Sequence, residues 1–160
     1  MSELRIGLGV DAHVLSEDVP LVLGGVDFPG ERGLAGHSDG DVIAHALIDA
    51  LLGAAGLADI GDLFPSGESQ WLDVSSIRLL QRSYEVVRSA GFELVNADCV
   101  LIGEAPRVAP VRDAMRARLA GALGVSAERV AVRATTTDGL GFTGRGEGLA
   151  AQAVALLRSP

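Results

Sequence analysis

Apolar and polar residues change their spacing several times along this chain, and each change marks an element. Leu4-Arg5-Ile6-Gly7-Leu8-Gly9-Val10-Asp11 alternates loosely, which predicts a strand. Leu21-Val22-Leu23 and Val26-Asp27-Phe28 flank the pair Gly24-Gly25, the pattern of a hairpin or bulged strand. From about residue 37 to residue 56 the period becomes helical, with Ala44, Leu47, Leu51 and Ala55 on one stripe. Ser38 followed three positions later by Asp41 reads as a capping box at its start. Residues 59–71, carrying Gly61, Pro65 and Gly67, read as loop. A second helix is predicted over about 73–90, with Ile77, Leu80, Tyr84 and Val87 in register and Gly91 as its stop.

A strand follows over 92–102. Pro110 opens a third helix that turns Met115, Leu119 and Leu123 inward and Arg112, Asp113, Arg116 and Arg118 outward, ending at Gly124. Residues 130–135 read as a strand. The tail, 148–157, fits a strand and a helix equally well. No repeat or linker interrupts the pattern, so residues 1–160 are expected to form a single catalytic domain that mixes strands and helices.

Charge narrows the function. The chain has 160 residues, 21 acids and 13 basic residues, all of them arginine, for a net charge of −8. An acidic chain lacks the electrostatic footprint of a nucleic-acid binder. Without lysine there can be no P-loop lysine, Schiff base or lysine general base. The one cysteine, Cys99, permits no internal disulfide and suits a reducing compartment. No apolar run approaches the ~18 residues of a membrane span, and the first residues do not look like a targeting segment, so a soluble cytoplasmic protein is expected. The acids are unevenly placed: residues 1–62 carry −9, the remainder +1, and His13, His37 and His45 all lie in the acidic part. Carboxylates and imidazoles gathered this way suit a metal cation as well as a solvated acidic surface.

Four segments could carry chemistry. In Asp11-Ala12-His13 an extended backbone sends both functional side chains to the same side. His45, on the next helix, could supply a third ligand and leave a fourth tetrahedral position open. Asp41 and Asp49, at i−4 and i+4 from His45, could each orient its far ring nitrogen. His37-Ser38 stands where the helix N-terminus would welcome a phosphate. Thr135-Thr136-Thr137-Asp138-Gly139 through Phe142, Arg145 and Gly148 combines hydroxyls, glycines, an acid and an arginine, a set suited to phosphate and a divalent ion. Gly139 to Gly144 formally matches a dinucleotide fingerprint, but the acid expected ~20 residues on would fall past Pro160. Ala105-Pro106-Arg107-Val108-Ala109 is a stiff connection whose backbone could read a base edge.

Taken together, Gly7 to His13, His37 to Asp41, Asp49 to Ala55, Asp59 to Pro65 and Thr135 to Gly148 resemble the 2-C-methyl-D-erythritol 2,4-cyclodiphosphate synthase family, over about residues 5–157. The resemblance implies an α+β fold: a two-layer domain, a mixed sheet with helices on one face, and sheets facing a threefold axis in a homotrimer with active sites between subunits. It implies that the 2-phosphate of 4-(cytidine 5′-diphospho)-2-C-methyl-D-erythritol 2-phosphate attacks the β-phosphorus and expels CMP, a phosphorus–oxygen lyase reaction of non-mevalonate isoprenoid biosynthesis in bacteria. Zn²⁺ would sit on Asp11, His13 and His45, and Mg²⁺ or Mn²⁺ on Asp138 with the diphosphate. His37 and Thr136 would stabilise the transition state. Asp59, Ile60 and Gly61 would hold the ribose. The loop Phe64-Pro65-Ser66-Gly67-Glu68 would meet the erythritol part, and Ser38 would bind the substrate beside His37. Residues Ala105, Pro106, Arg107, Val108, Ala109 and Thr135 would line the cytosine pocket, and Thr137, Phe142 and Arg145 would complete the site. An isoprenoid diphosphate at the trimer axis is a further implied partner. Asp138 stands where the family commonly has Glu, and Arg107 where it commonly has Lys.

Two other classes fit the same residues. A zinc hydrolase would use the open metal position to activate water. A binding module would take the nucleotide or an isoprenoid diphosphate without turnover.

Overall fold

The alternating N-terminal residues fold as β1 (Leu4–Ser16), a strand that runs on through Asp11 and His13. The model is computed, and it describes residues 2–160. The expected hairpin is β2 (Leu21–Leu23) and β3 (Val26–Phe28), joined by Gly24 and Gly25 at φ 57° and 74°. Two consecutive left-handed residues are what a tight hairpin turn demands, and glycine adopts them without steric cost. A short strand, β4 (Gly33–Leu34), was not anticipated.

Helix α1 (Val42–Ala54) starts later than the capping-box reading predicts. Asp41, not Ser38, is the N-cap: its carboxylate accepts from Ala44 N–H at 3.1 Å and also from Gly24 and Gly25 N–H at 2.8 and 2.7 Å. One fully buried side chain thus fixes the hairpin turn against the helix start. The helix is also not one-sided: Val42, Ile43, Ala46, Ile48, Ala50 and Leu52 are buried along with the predicted stripe. A helix apolar on all sides is a core helix.

The region expected to be loop contains one helical turn, α2 (Ile60–Leu63), capped by Asp59, and a 3-10 turn over Ser69–Trp71. Helix α3 (Ser76–Ser89) and strand β5 (Glu93–Ile102) follow as predicted, within a few residues. A 3-10 turn at Ala109–Val111 carries Pro110, so α4 (Arg112–Leu123) starts two residues after the proline. It ends at Gly124, φ 63°. Arg116 lies across the C-terminal end of the layer, donating to the carbonyls of Val130 and Ala127, rather than pointing to solvent. Strand β6 (Val130–Thr135) has the predicted bounds. After the single turn α5 (Gly141–Gly144), the ambiguous tail is strand β7 (Gly148–Arg158).

The five-stranded sheet has the order β4-β1-β7-β5-β6, with only β5 and β6 parallel. Helices α1, α3 and α4 form the second layer on one face, α1 lying over β1 and β7. The contact is close because Gly7 and Gly9 point at α1: a Cβ on either would strike the helix backbone at Ala50, Ala54 or Ala46. The alternation in β1 therefore puts its large apolar side chains on the other face. Leu4, Ile6, Leu8, Val10 and Val14 are 55–73% exposed there, beside Val154 of β7. An apolar stripe of this extent is larger than the scattered apolar residues usual on a bare surface. No helix among the described residues is long and apolar enough to cross a membrane.

Candidate active site

Asp11 and His13 both point toward the helical layer near the end of β1, and His45 reaches them from the first turn of α1. Asp11 Oδ2, His13 Nε2 and His45 Nδ1 stand 2.8, 3.1 and 3.3 Å apart. Ligand atoms about 2.0–2.1 Å from a tetrahedral ion are separated by about 3.3 Å, so this triangle fits one. The tautomers agree. His13 Nδ1 donates to the Ala35 carbonyl at 2.9 Å, which leaves Nε2 with a lone pair. His45 Nε2 has the hydroxyls of Ser38 and Ser76 at 2.9 Å, which frees Nδ1. Three lone-pair donors converge with no proton among them, an arrangement that a cation satisfies. They are the one group of three or more such side chains that converges among the described residues.

The three groups are also coupled by charge. Burial would raise the Asp11 carboxyl, but hydrogen bonds and charge from His13 and His45 outweigh it and lower it to about 2. The Asp11 carboxylate in turn raises His13 against the opposing effect of burial. Asp41 is raised to about 6 by complete burial, held back by the N–H groups of Gly25, Ala44 and Gly24.

Neither Asp41 nor Asp49 orients His45, contrary to the helix-face expectation. Asp41 is occupied as described, and Asp49 accepts from Ile60 N–H at 2.9 Å, pinning α2 to α1. Ser38 and Ser76 take that place. The N–H groups at the start of α1 are taken by the buried Asp41 carboxylate, and His37 and Ser38 line the cleft beside it.

The triad opens into a cleft of about 270 Å³ lined also by His37, Ser38, Ile60, Gly61, Phe64, Ser66, Trp71 and Leu79. Most of the predicted sugar-side residues are therefore brought together. Phe64 and Trp71 meet edge to face at 4.8 Å; Phe64 is an expected site residue, and Trp71 is an addition to the wall. Pro65, Gly67, Glu68 and Asp59 do not line the cleft: Glu68 accepts from the Trp71 indole N–H at 3.1 Å, and Asp59 caps α2.

The other predicted residues gather elsewhere. Ala105 to Ala109 and Thr135 to Asp138 leave the ends of β5 and β6. Thr135 is in register with Ile102, Ile102 with Ala150, and Ala150 with Ala12. One row across the sheet therefore joins the threonines to the residue between Asp11 and His13. Three strand spacings separate them, about 14 Å. None of residues 105–109 or 135–138 lines the triad's cleft. Thr135, Thr136, Asp138, Ala105, Arg107 and Ala109 are exposed, whereas Val108 is buried in the core. Thr137 is half-buried and structural, donating to Leu140 O at 2.6 Å and meeting Thr143 Oγ1 at 3.0 Å. Arg145 is paired with Glu147 at 2.8 Å rather than aimed at the threonines, and Phe142 lies beside Ala12, His13 and Val14 in a second hollow. Glu104 ties the two loops together, its carboxylate accepting from the N–H groups of Thr137 and Gly139 at 3.2 and 3.4 Å. No local sequence pattern marks that link.

A two-layer α+β domain in which one strand and the helix packed on it together supply a two-histidine, one-carboxylate ligand set is the class defined by these observations. The chain belongs to the YgbB family, whose model matches residues 4–158. It is 58% identical over 154 residues to the 2-C-methyl-D-erythritol 2,4-cyclodiphosphate synthase of Moorella thermoacetica, covering 96% of this chain and 94% of that protein. Among solved structures, the bifunctional IspDF from Campylobacter jejuni superposes with a TM-score of 0.96 at 42% identity, over 100% of this chain and 43% of that larger one. The Plasmodium falciparum IspF in complex with CDP superposes with a TM-score of 0.84 at 30% identity, over 98% of this chain and 96% of that one.

Proposed function

We propose that the chain converts 4-(cytidine 5′-diphospho)-2-C-methyl-D-erythritol 2-phosphate to 2-C-methyl-D-erythritol 2,4-cyclodiphosphate and CMP, as a phosphorus–oxygen lyase of bacterial non-mevalonate isoprenoid synthesis. The observation that carries this reading is the converging Asp11, His13 and His45 beside a sugar-sized cleft, in a chain so similar to synthases of that name.

The nucleophile is a phosphate that is already anionic, so no strong base is needed and none is missed in a lysine-free chain. An oxygen of the 2-phosphate forms a bond to the β-phosphorus, and the bond from that phosphorus to the bridging oxygen breaks. The electron pair leaves on CMP. The difficulty lies in bringing two anions together in one geometry, and orientation supplies on the order of 7–11 kcal/mol in such closures. Zinc on the triad and Mg²⁺ or Mn²⁺ at Asp138 would, when bound, neutralise the crowded phosphate oxygens and polarise the attacked phosphorus. His37 and Ser38 donate to the phosphates from the cleft wall, and the Ile60–Gly61 backbone beside Asp59 holds the ribose. Residues 105–109 with Thr135 hold the cytosine, and Thr136 donates to the β-phosphate.

These roles need both groups of residues on one substrate, and within one chain they stand about 14 Å apart on a flat row of the sheet. The bare face of β1 supplies the remedy. Copies that bury Leu4, Ile6, Leu8, Val10 and Val14 around a threefold axis bring the threonine end of one sheet to the triad end of the next. The same apolar surfaces would enclose an isoprenoid diphosphate at the axis.

The test is direct. Purified chain with zinc, Mg²⁺ and the CDP-linked substrate should release CMP and the cyclic diphosphate in equal amounts. A linear phosphorylated product would favour the hydrolase reading. CMP binding without turnover in zinc-loaded, folded protein would favour the binding module.

A further inference from the structure

We propose that Asp39 and Ser76 form a charge relay that sets the strength with which His45 holds its metal, so that both are positioning residues of the metal centre. The inference rests on the metal-centre reading above and adds to it two residues that have been given no role in the metal centre.

His45 can ligate through Nδ1 only if its proton is on Nε2, and Nε2 then donates. Two hydroxyl oxygens lie 2.9 Å from it, Ser38 Oγ and Ser76 Oγ. The two serines differ in what stands behind them. Ser76, fully buried at the first position of α3, donates its hydroxyl proton to Asp39 Oδ1 in a very short contact. Its oxygen is therefore the acceptor toward His45, and the direction of the chain is settled: His45 N–H to Ser76 oxygen, Ser76 O–H to Asp39 carboxylate. Asp39 is itself fixed, accepting from Asp41 N–H at 3.1 Å through Oδ1 and from Ser76 N–H at 3.0 Å through Oδ2. Ser38 has no carboxylate behind it; it meets Ser76 Oγ at 3.3 Å and accepts weakly from Gly40 N–H at 3.4 Å.

The two histidines are thus held unequally. His13 is backed by the neutral carbonyl of Ala35, His45 by a full negative charge one hydroxyl away. A carboxylate behind a ligating imidazole raises the basicity of the ligating nitrogen and locks the ring, and losing such a partner costs 10- to 100-fold in metal affinity in known sites. Passing the charge through Ser76 keeps Asp39 out of the triad's own coordination sphere. It also couples the start of α3 to the centre, because the same carboxylate caps that helix through Ser76 N–H.

Zinc affinity of the zinc-free full chain, measured by competition with a chromophoric chelator, tests this without recourse to turnover. Ser76→Ala and Asp39→Asn should each weaken zinc by about 10- to 100-fold, with the double variant close to the weaker single one. Asp49→Asn is the control. It removes a comparable negative charge near His45 while keeping an acceptor for Ile60 N–H, and should change zinc affinity by less than about threefold. Denaturation midpoints of the zinc-free variants report folding separately, and Asp39→Asn retains an acceptor oxygen for the local N–H groups. Tight zinc in the wild type with unchanged affinity in Asp39→Asn and Ser76→Ala would overturn the relay and leave the metal centre standing. Equal weakening by Asp49→Asn would overturn it in favour of general charge. A wild type that holds no zinc would overturn both.

Discussion

Around Asp11, His13 and His45 the polar atoms are committed to partners from the fold. A carbonyl, two serines, a carboxylate and the helix cap Asp41 hold the ligands at 2.8–3.3 Å from one another, on elements packed into the core. Around Thr135, Thr136 and Asp138 the side chains are exposed, and Glu104 accepts from the adjoining Thr137 and Gly139 N–H groups at 3.2 and 3.4 Å. The first region is preorganised by one chain, and the second is presented outward by it. The difference follows from position. The triad grows from β1 and α1, which pack closely through Gly7 and Gly9, whereas the threonine loop leaves β6, an edge strand of the sheet. A metal needs fixed lone pairs before it arrives, but a nucleotide can order its own loop.

Breaking the proposed assembly should separate the two regions most sharply. Leu8→Asp places a charge in the exposed apolar stripe. The chain should remain folded and zinc-loaded and sediment as a monomer, with turnover reduced at least about 10³-fold because the substrate loses one of its two sets of contacts. Retained turnover in a proven monomer would mean that one chain holds a whole site.

Gly9→Ala attacks the triad's scaffold alone. Its Cβ would meet the Ala46 carbonyl, so β1 and α1 must separate. A loss of about 3 kcal/mol or more in urea denaturation is expected, accompanied by weaker zinc.

Asp41 offers a pH test of the same scaffold. Its folded-state value of about 6 lies above the ordinary 3.8, so the folded chain binds this proton more tightly than the unfolded one. Its contribution to stability is greatest below about pH 4, falls as pH rises through 6, and is flat above. The size is about 3 kcal/mol. Zinc-free wild type should lose that much relative to Asp41→Asn between pH 4 and pH 7, by urea denaturation at each pH. Parallel curves would contradict it.

The smallest effect belongs to the outward region. Glu104→Ala should weaken CMP by about 3- to 10-fold in calorimetry and leave zinc affinity and unfolding midpoint nearly unchanged.

Much of this was legible in the residues. The helices, the hairpin and β6 announced themselves through period and glycine placement, and Asp11-x-His13 with His45 was visible as a ligand set. Other features were hidden for physical reasons. The tail 148–157 could not be assigned because its outer face also carries apolar side chains such as Val154, so residue types do not alternate although burial does over Ala151–Arg158. Alternation in β1 showed two faces but not which one is covered; Gly7 and Gly9 were the signal, since only a close-packed helix needs them. Ser38 matched a helix-cap pattern, yet Asp41 won because it also satisfies the Gly24 and Gly25 amides, a contact made 16 and 17 residues away. Ser76 and Asp39 are 37 residues apart, and no local pattern encodes their meeting.

Subunit mixing tests the central claim, that the metal half and the nucleotide half of each site come from different copies. His13→Ala and Thr136→Ala chains, each at background turnover alone, should be unfolded together in equal amounts and refolded with zinc. Random assembly pairs an intact triad with an intact threonine loop in about a quarter of the sites, and turnover should return to about that fraction of wild type. A mixture that stays at background would contradict the account and place both halves of the site within one chain.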